Sequence, residues 1–204
     1  MEALANKISI YLVSVKAAKE EDREIIAFGL FHIFANAFQI FILVIMALYF
    51  NAIPQITAFT LFFGSLKRYV GGAHASRNWI CITISTVMVF SAYLLSVIIP
   101  VSCFTYVSAI SSVVTLLLVL LKAPVMHPNN PKSANKLKKY RKIAITVAII
   151  QLAALLSGCF LKSELARIIC LCGSLGGLFA ALSLIPPMPS YKTRGGESIE
   201  EGNQ

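Results

Sequence analysis

Two side chains in this sequence have the types to do covalent chemistry together, His74 and Cys81. Both lie in Lys67-Arg68-Tyr69-Val70-Gly71-Gly72-Ala73-His74-Ala75-Ser76-Arg77-Asn78-Trp79-Ile80-Cys81, a basic polar island between long apolar runs. A thiolate is a nucleophile, and an imidazole within hydrogen-bond reach can take its proton and later return it to a leaving group. On one straight helix, residues seven apart lie about 10 Å apart along the axis, well beyond the ~3 Å that proton transfer needs. A direct pair therefore requires the backbone to break between them. Gly71 and Gly72 supply that break as a hinge, and backbone N–H groups beside them are candidate oxyanion donors. Ser76 or Asn78 can then cap a helix that starts near Trp79, which leaves Cys81 in its first turn. There the helix N-terminus and the nearby Lys67, Arg68 and Arg77 favour thiolate over thiol. The plainer reading is a packing cysteine and a solvated loop histidine; the joint pattern argues against it.

The elements that must position this pair are membrane helices. The chain is 57% hydrophobic and 13% charged, with mean hydropathy +0.77, whereas soluble domains carry about 25% charged residues. A spanning helix takes about 20 apolar residues, so 204 residues leave room for five or six spans and little else. The expected class is an all-α integral membrane protein of about six transmembrane or re-entrant helices. Residues 1–24 read as an amphipathic interfacial helix rather than a cleavable leader, with Leu4, Ile8, Tyr11, Leu12 and Val15 roughly on one side. Residues 25–186 form one polytopic domain, with apolar runs at 25–50, 52–66, 79–99, 102–121, 143–161 and 166–186. The second run is short and contains Pro54, Gln55 and Thr57, so it reads either as a tilted span or as a re-entrant segment. Residues 187–204 read as a disordered cytoplasmic tail.

Charge sets the expected orientation. If the N-terminus is cytoplasmic and all six runs cross, segments 1–24, 67–78, 122–142 and 187–204 face the cytoplasm. They then hold every basic residue except Lys162 and Arg167, as the positive-inside rule requires. The net charge of +9 is explained this way, and no nucleic-acid partner is expected. Segment 122–142 has seven basic residues and no acid. It reads as an anchor on anionic lipid or as a docking surface for an acidic peptide through Lys136, Lys138 and Lys139; both roles can hold. Pro124, Pro128 and Pro131 bar a helix through its first half.

Other chemistry is thin. The five cysteines, Cys81, Cys103, Cys159, Cys170 and Cys172, show neither a disulfide framework nor a zinc spacing, and no metal or cofactor is expected. His127 has no nearby cysteine. Asn36 and Gln39 are the candidates in the first span for orienting His74, ahead of His32, because intramembrane polar residues face the bundle interior.

The run Lys67-Arg68-Tyr69-x-Gly71-Gly72-x-His74-Ala75-x5-Cys81 resembles the signature of the accessory gene regulator B peptidases, which process quorum-sensing propeptides in Gram-positive bacteria. The similarity covers nearly the whole chain, including the Pro128–Pro131 basic loop. It departs in the first span, where Phe31-His32 stand at a position often acidic in that family. The resemblance implies a cysteine endopeptidase of the bacterial cell membrane, with Cys81 as nucleophile and His74 as base and then acid. Its substrate would be an AgrD-like amphipathic propeptide whose acidic tail meets Lys67, Arg68, Arg77 and the 122–142 segment. The acyl group on Cys81 would pass to a side chain of the same peptide, closing a thiolactone or lactone. A homodimer is also implied. Against this stand a small transporter, which predicts a polar pathway and repeated halves, and a membrane scaffold, which predicts that Cys81→Ala is harmless.

Overall fold

A computed structural model describes residues 2–71, 78–125, 134–159 and 163–185. His74, Gly72, Arg77, His127 and the 187–204 tail lie outside the described residues. Seven α-helices follow one another: α1 Glu2–Ser14, α2 Arg23–Tyr49, α3 Ile53–Val70, α4 Asn78–Ile98, α5 Phe104–Lys122, α6 Ala134–Cys159 and α7 Glu164–Leu182. Among the described residues there is no strand, only one isolated bridge between Gly71 and Val125. All helices but α1 and α3 are long and apolar enough to cross a membrane. This is an all-α, multi-pass membrane architecture.

Local sequence sets the breaks. Pro54 sits in the first turn of α3, where its missing N–H costs nothing. Pro100 precedes the turn into α5, and Pro124 follows the end of α5 at Lys122. The basic segment differs from its expected form: the prolines do stop α5, but the chain re-enters a helix at Ala134. Lys136, Lys138 and Lys139 therefore ride on the first two turns of α6 rather than on a loop. Past the last proline, nothing opposes helix formation in Ala134–Lys142.

The short second apolar run forms one unbroken 18-residue helix, α3. Ala52, just before it, and its Ile56 and Phe59 join a core cluster shared with α2, α4, α5 and α7. Its last residues, Leu66 and Val70, join a second cluster with α5, α6 and the end of α7. A helix that feeds both clusters runs from one end of the bundle to the other; at ~1.5 Å per residue it covers about 27 Å.

Small residues bring α7 close to its neighbours. A Cβ on Gly176 would strike the backbone of Phe59 in α3, so glycine is what permits that contact. Opposite, α5 turns Ser108, Ser111, Ser112 and Thr115 inward, all at most 6% exposed. Ser112 and Thr115 donate to the carbonyls of Ser108 and Ser111, which keeps their protons off the hydrocarbon. Helix α1 lies against α2 and buries Ala5 and Ser9, while Leu4, Ile10, Tyr11 and Val15 stay exposed. Its larger apolar side chains are thus not used on the bundle.

Candidate active site at the basic end of the bundle

Cys81 is the fourth residue of α4, and it is exposed. It therefore occupies the first helical turn, as the sequence leads one to expect. Trp79, two residues earlier, is 61% exposed and suits a membrane–water boundary.

A charge that acts on this site comes from α3. Lys67 lies in the last turn of that helix, beyond its apolar stretch, and its Nζ donates to Ser183 Oγ at 2.6 Å. Ser183 immediately follows α7 and in turn donates to the Ala180 carbonyl. Burial pulls the Lys67 ammonium below its usual range, and the charge of the Cys81 thiolate acts in the opposite direction. The two groups are therefore close enough for charge on one to act on the other. Among the described residues the single ion pair is Arg23–Glu20, so no carboxylate there competes for Lys67. Of the residues expected to meet an acidic tail, Lys67 is turned inward, whereas Arg68, Lys136, Lys138 and Lys139 are exposed.

The end of α3 is fixed by a contact that the sequence did not disclose. The Val125 N–H donates to the Val70 carbonyl at 3.0 Å, and Gly71 pairs with Val125. Gly71 has φ 72° and ψ −132°, a region essentially reserved for glycine. The Val125 carbonyl also occupies the space a Cβ would need. Gly71 thus turns the chain out of α3 while a strap from the basic segment closes over it. Tyr69 and Tyr140 face each other across the same end, with ring centroids 6.1 Å apart. Arg141 reaches the Leu120 carbonyl at 3.4 Å.

The two orienting candidates part company. Gln39 Nε2 donates to Thr86 Oγ1 at 3.3 Å, tying α2 to α4 about 7.5 Å along the axis from Cys81. Its Oε1 is buried without a partner. Asn36 is exposed. His32 stacks edge-on against Phe28 and Phe31, at 4.3 and 5.7 Å, so it belongs to an aromatic group on α2. The remaining described cysteines also separate: Cys170 and Cys172 are buried, and Cys103 is exposed at the opposite end of the bundle. No cluster that could hold a metal occurs among the described residues.

Sequence reading missed Ser183 and Gln151 as positioning groups. Gln151 Nε2 donates to the Phe62 carbonyl at 3.0 Å and to Ser65 Oγ at 2.9 Å, joining α6 to α3 one turn from Lys67. The available signal was its position, a glutamine inside an apolar run.

A protein-family model described as accessory gene regulator B matches residues 5–184, a stretch that contains the whole bundle. No curated protein and no solved structure matches the chain.

Proposed function

This chain belongs to the accessory gene regulator B family, and from that premise we propose that it is a membrane cysteine endopeptidase that trims and cyclises a quorum-sensing propeptide. The observation that carries the proposal is an exposed thiol, Cys81, in the first turn of α4 beside the Lys67 ammonium. His74 belongs to the six-residue stretch between Gly71 and α4, seven positions before Cys81 in sequence.

In the proposed reaction His74 takes the Cys81 proton, and the thiolate attacks a backbone carbonyl of an AgrD-like substrate. The C–N bond breaks, His74 protonates the departing amine, and the acidic tail leaves with it. The retained half stays on Cys81 as a thioester. A cysteine thiol or serine hydroxyl of the same peptide then gives its proton to His74 and attacks that thioester, closing the ring and releasing the Cys81 thiolate, which takes the proton back from His74. Thioester exchange is close to isoenergetic for a thiol, so cyclisation competes when the internal nucleophile is held near the carbonyl and water is excluded. Gly71, Gly72 and the first N–H groups of α4 are the proposed oxyanion donors. Gln39 is the proposed orienting residue of the first span.

Orientation follows from charge. The N-terminal segment, Lys67 and Arg68, Lys122 and the start of α6 share one end of the bundle, and the positive-inside rule makes that end cytoplasmic. Arg68, Arg77, Lys136, Lys138 and Lys139 then receive the acidic tail from the cytoplasmic side. A homodimer is part of the proposal; absence of a crosslinked dimer in native membranes argues against it.

The deciding experiment needs no substrate. Alkylation of Cys81 by a permeable thiol reagent is followed by mass spectrometry of its peptide, at pH 6–9, in wild type and His74→Ala. Fast labelling at the acid end, slowed about tenfold or more in His74→Ala, supports a paired nucleophile. Identical profiles in the two proteins return Cys81 to a packing role and bring a scaffold or transporter forward.

A further inference from the structure

Within the bundle, away from the thiol, a cavity lies between α5, α6 and α7. Its polar lining is Ser112, Thr115, Gln151 and Ser174, beside Leu155 and Gly177. The volume open to a water-sized sphere is about 10 Å³, room for one water molecule.

Donor and acceptor accounting decides what belongs there. Ser112 donates to the Ser108 carbonyl, Thr115 to the Ser111 carbonyl and Ser174 to the Leu171 carbonyl. Both protons of the Gln151 amide face α3, one on the Phe62 carbonyl and one on Ser65 Oγ. The lining therefore presents oxygen lone pairs and no free proton. Gln151 is 8% exposed, and its Oε1 is buried without a partner. A Cβ on Gly177 would lie 3.2 Å from that oxygen and 3.7 Å from Thr115 Oγ1, so the missing side chain leaves open a point between two acceptors. Buried acceptors in hydrocarbon are costly, and the occupant that suits them is a donor. A sodium ion is the rival donor-like guest. No carboxylate lines the cavity, and oxygen ligands with no charge compensate poorly for dehydrating a cation at this depth.

We infer that this cavity is a binding site for one ordered water, donating to Gln151 Oε1 and to the Thr115, Ser112 or Ser174 oxygens. The water completes the Gln151 node that joins the basic helix α6 to α3. The inference is independent of the peptidase reading, because nothing in it involves Cys81.

Radiolytic footprinting of the full chain in nanodiscs tests it, since a bound water broken in place oxidises the side chains beside it. Leu155 lines the cavity at 4% exposed, and Leu171, at 0%, lies outside it and serves as the internal reference. The expected result is oxidation of Leu155 several-fold above Leu171, reduced to the Leu171 level in Gly177→Ala. If Gly177→Ala does not fold, Gln151→Met, which keeps the length but removes the acceptor, must lower Leu155 oxidation in the same way. Equal labelling of the two leucines in wild type overturns the site, as does labelling unaffected by these substitutions. Leu155 labelling that appears only when choline replaces sodium assigns the cavity to the ion and overturns the water.

Discussion

The two halves of this bundle are packed very differently. In α7, 56% of the most apolar window is buried inside the protein, against 17% for α2 and 11% for α4. Helix α7 achieves this with Gly173, Ser174, Gly176, Gly177, Ala180 and Ala181, which let α3 and α5 approach closely. Helix α4 instead turns Val87, Leu94, Val97 and Ile98 outward, toward lipid or a partner. The proposed nucleophile, Cys81, rides on the lightly packed helix, and Lys67 on α3, against which the small residues of α7 pack. In the proposed enzyme the closely packed half would fix the electrostatic field, and the loosely packed half would carry the thiol that meets the peptide.

The sharpest way to break that picture is to compare the exposed thiols at the two ends. In the proposed enzyme Cys81→Ala lowers product formation by at least about a thousandfold, whereas Cys103→Ala leaves it unchanged. Both are read by mass spectrometry of the released peptide, and equal activity of the two variants removes Cys81 from the chemistry.

Next in size is Gly71→Ala, which meets both a positive φ and the Val125 carbonyl. A cost of about 1–3 kcal/mol in stability is expected, together with loss of activity. A wild-type melting temperature would show that the strap is not fixed there.

The packing contrast itself is tested by adding carbon to each half. Gly176→Ala, pressed on the Phe59 backbone, is expected to cost about 1–3 kcal/mol. Val87→Leu on the exposed face of α4 should stay within about 0.5 kcal/mol. Similar losses for both would mean that the α4 face is covered, as by a second copy.

The smallest effect is also the most diagnostic. Burial disfavours the Lys67 ammonium, so the charge lowers stability wherever it is present, at pH below the folded-state pKa. Lys67→Met should therefore match or exceed the wild-type melting temperature near neutral pH, while product formation falls. Because the folded-state pKa is the lower one, wild type regains stability as pH rises through it, and the gap narrows. A widening gap would show that the charge stabilises the fold.

Much of this architecture is legible in the sequence. Apolar runs and their prolines located the helices, and the island's glycines and Cys81 located the break and the first turn of α4. Charge asymmetry grouped the basic segments at one end. What stayed hidden depends on contacts between distant residues: Lys67 with Ser183, Gln151 with Phe62 and Ser65, and Val70 with Val125. Periodicity reports which face of a helix is apolar, but not which neighbour it meets. The serines of α5 and the small residues of α7 are weak signals singly, and their meaning appears only when the two helices touch. The helical start of the basic segment was obscured by its prolines, which lie wholly upstream of Ala134.

The pairing of Gly71 with Val125 has one more consequence. Two connections far apart in sequence, the one carrying His74 and the one leading to the lysines of α6, leave the bundle from a single point. On the proposed function, an acidic tail held by those lysines would be tethered near Cys81, so its scissile bond would meet the thiol at a high effective concentration rather than at that of free peptide.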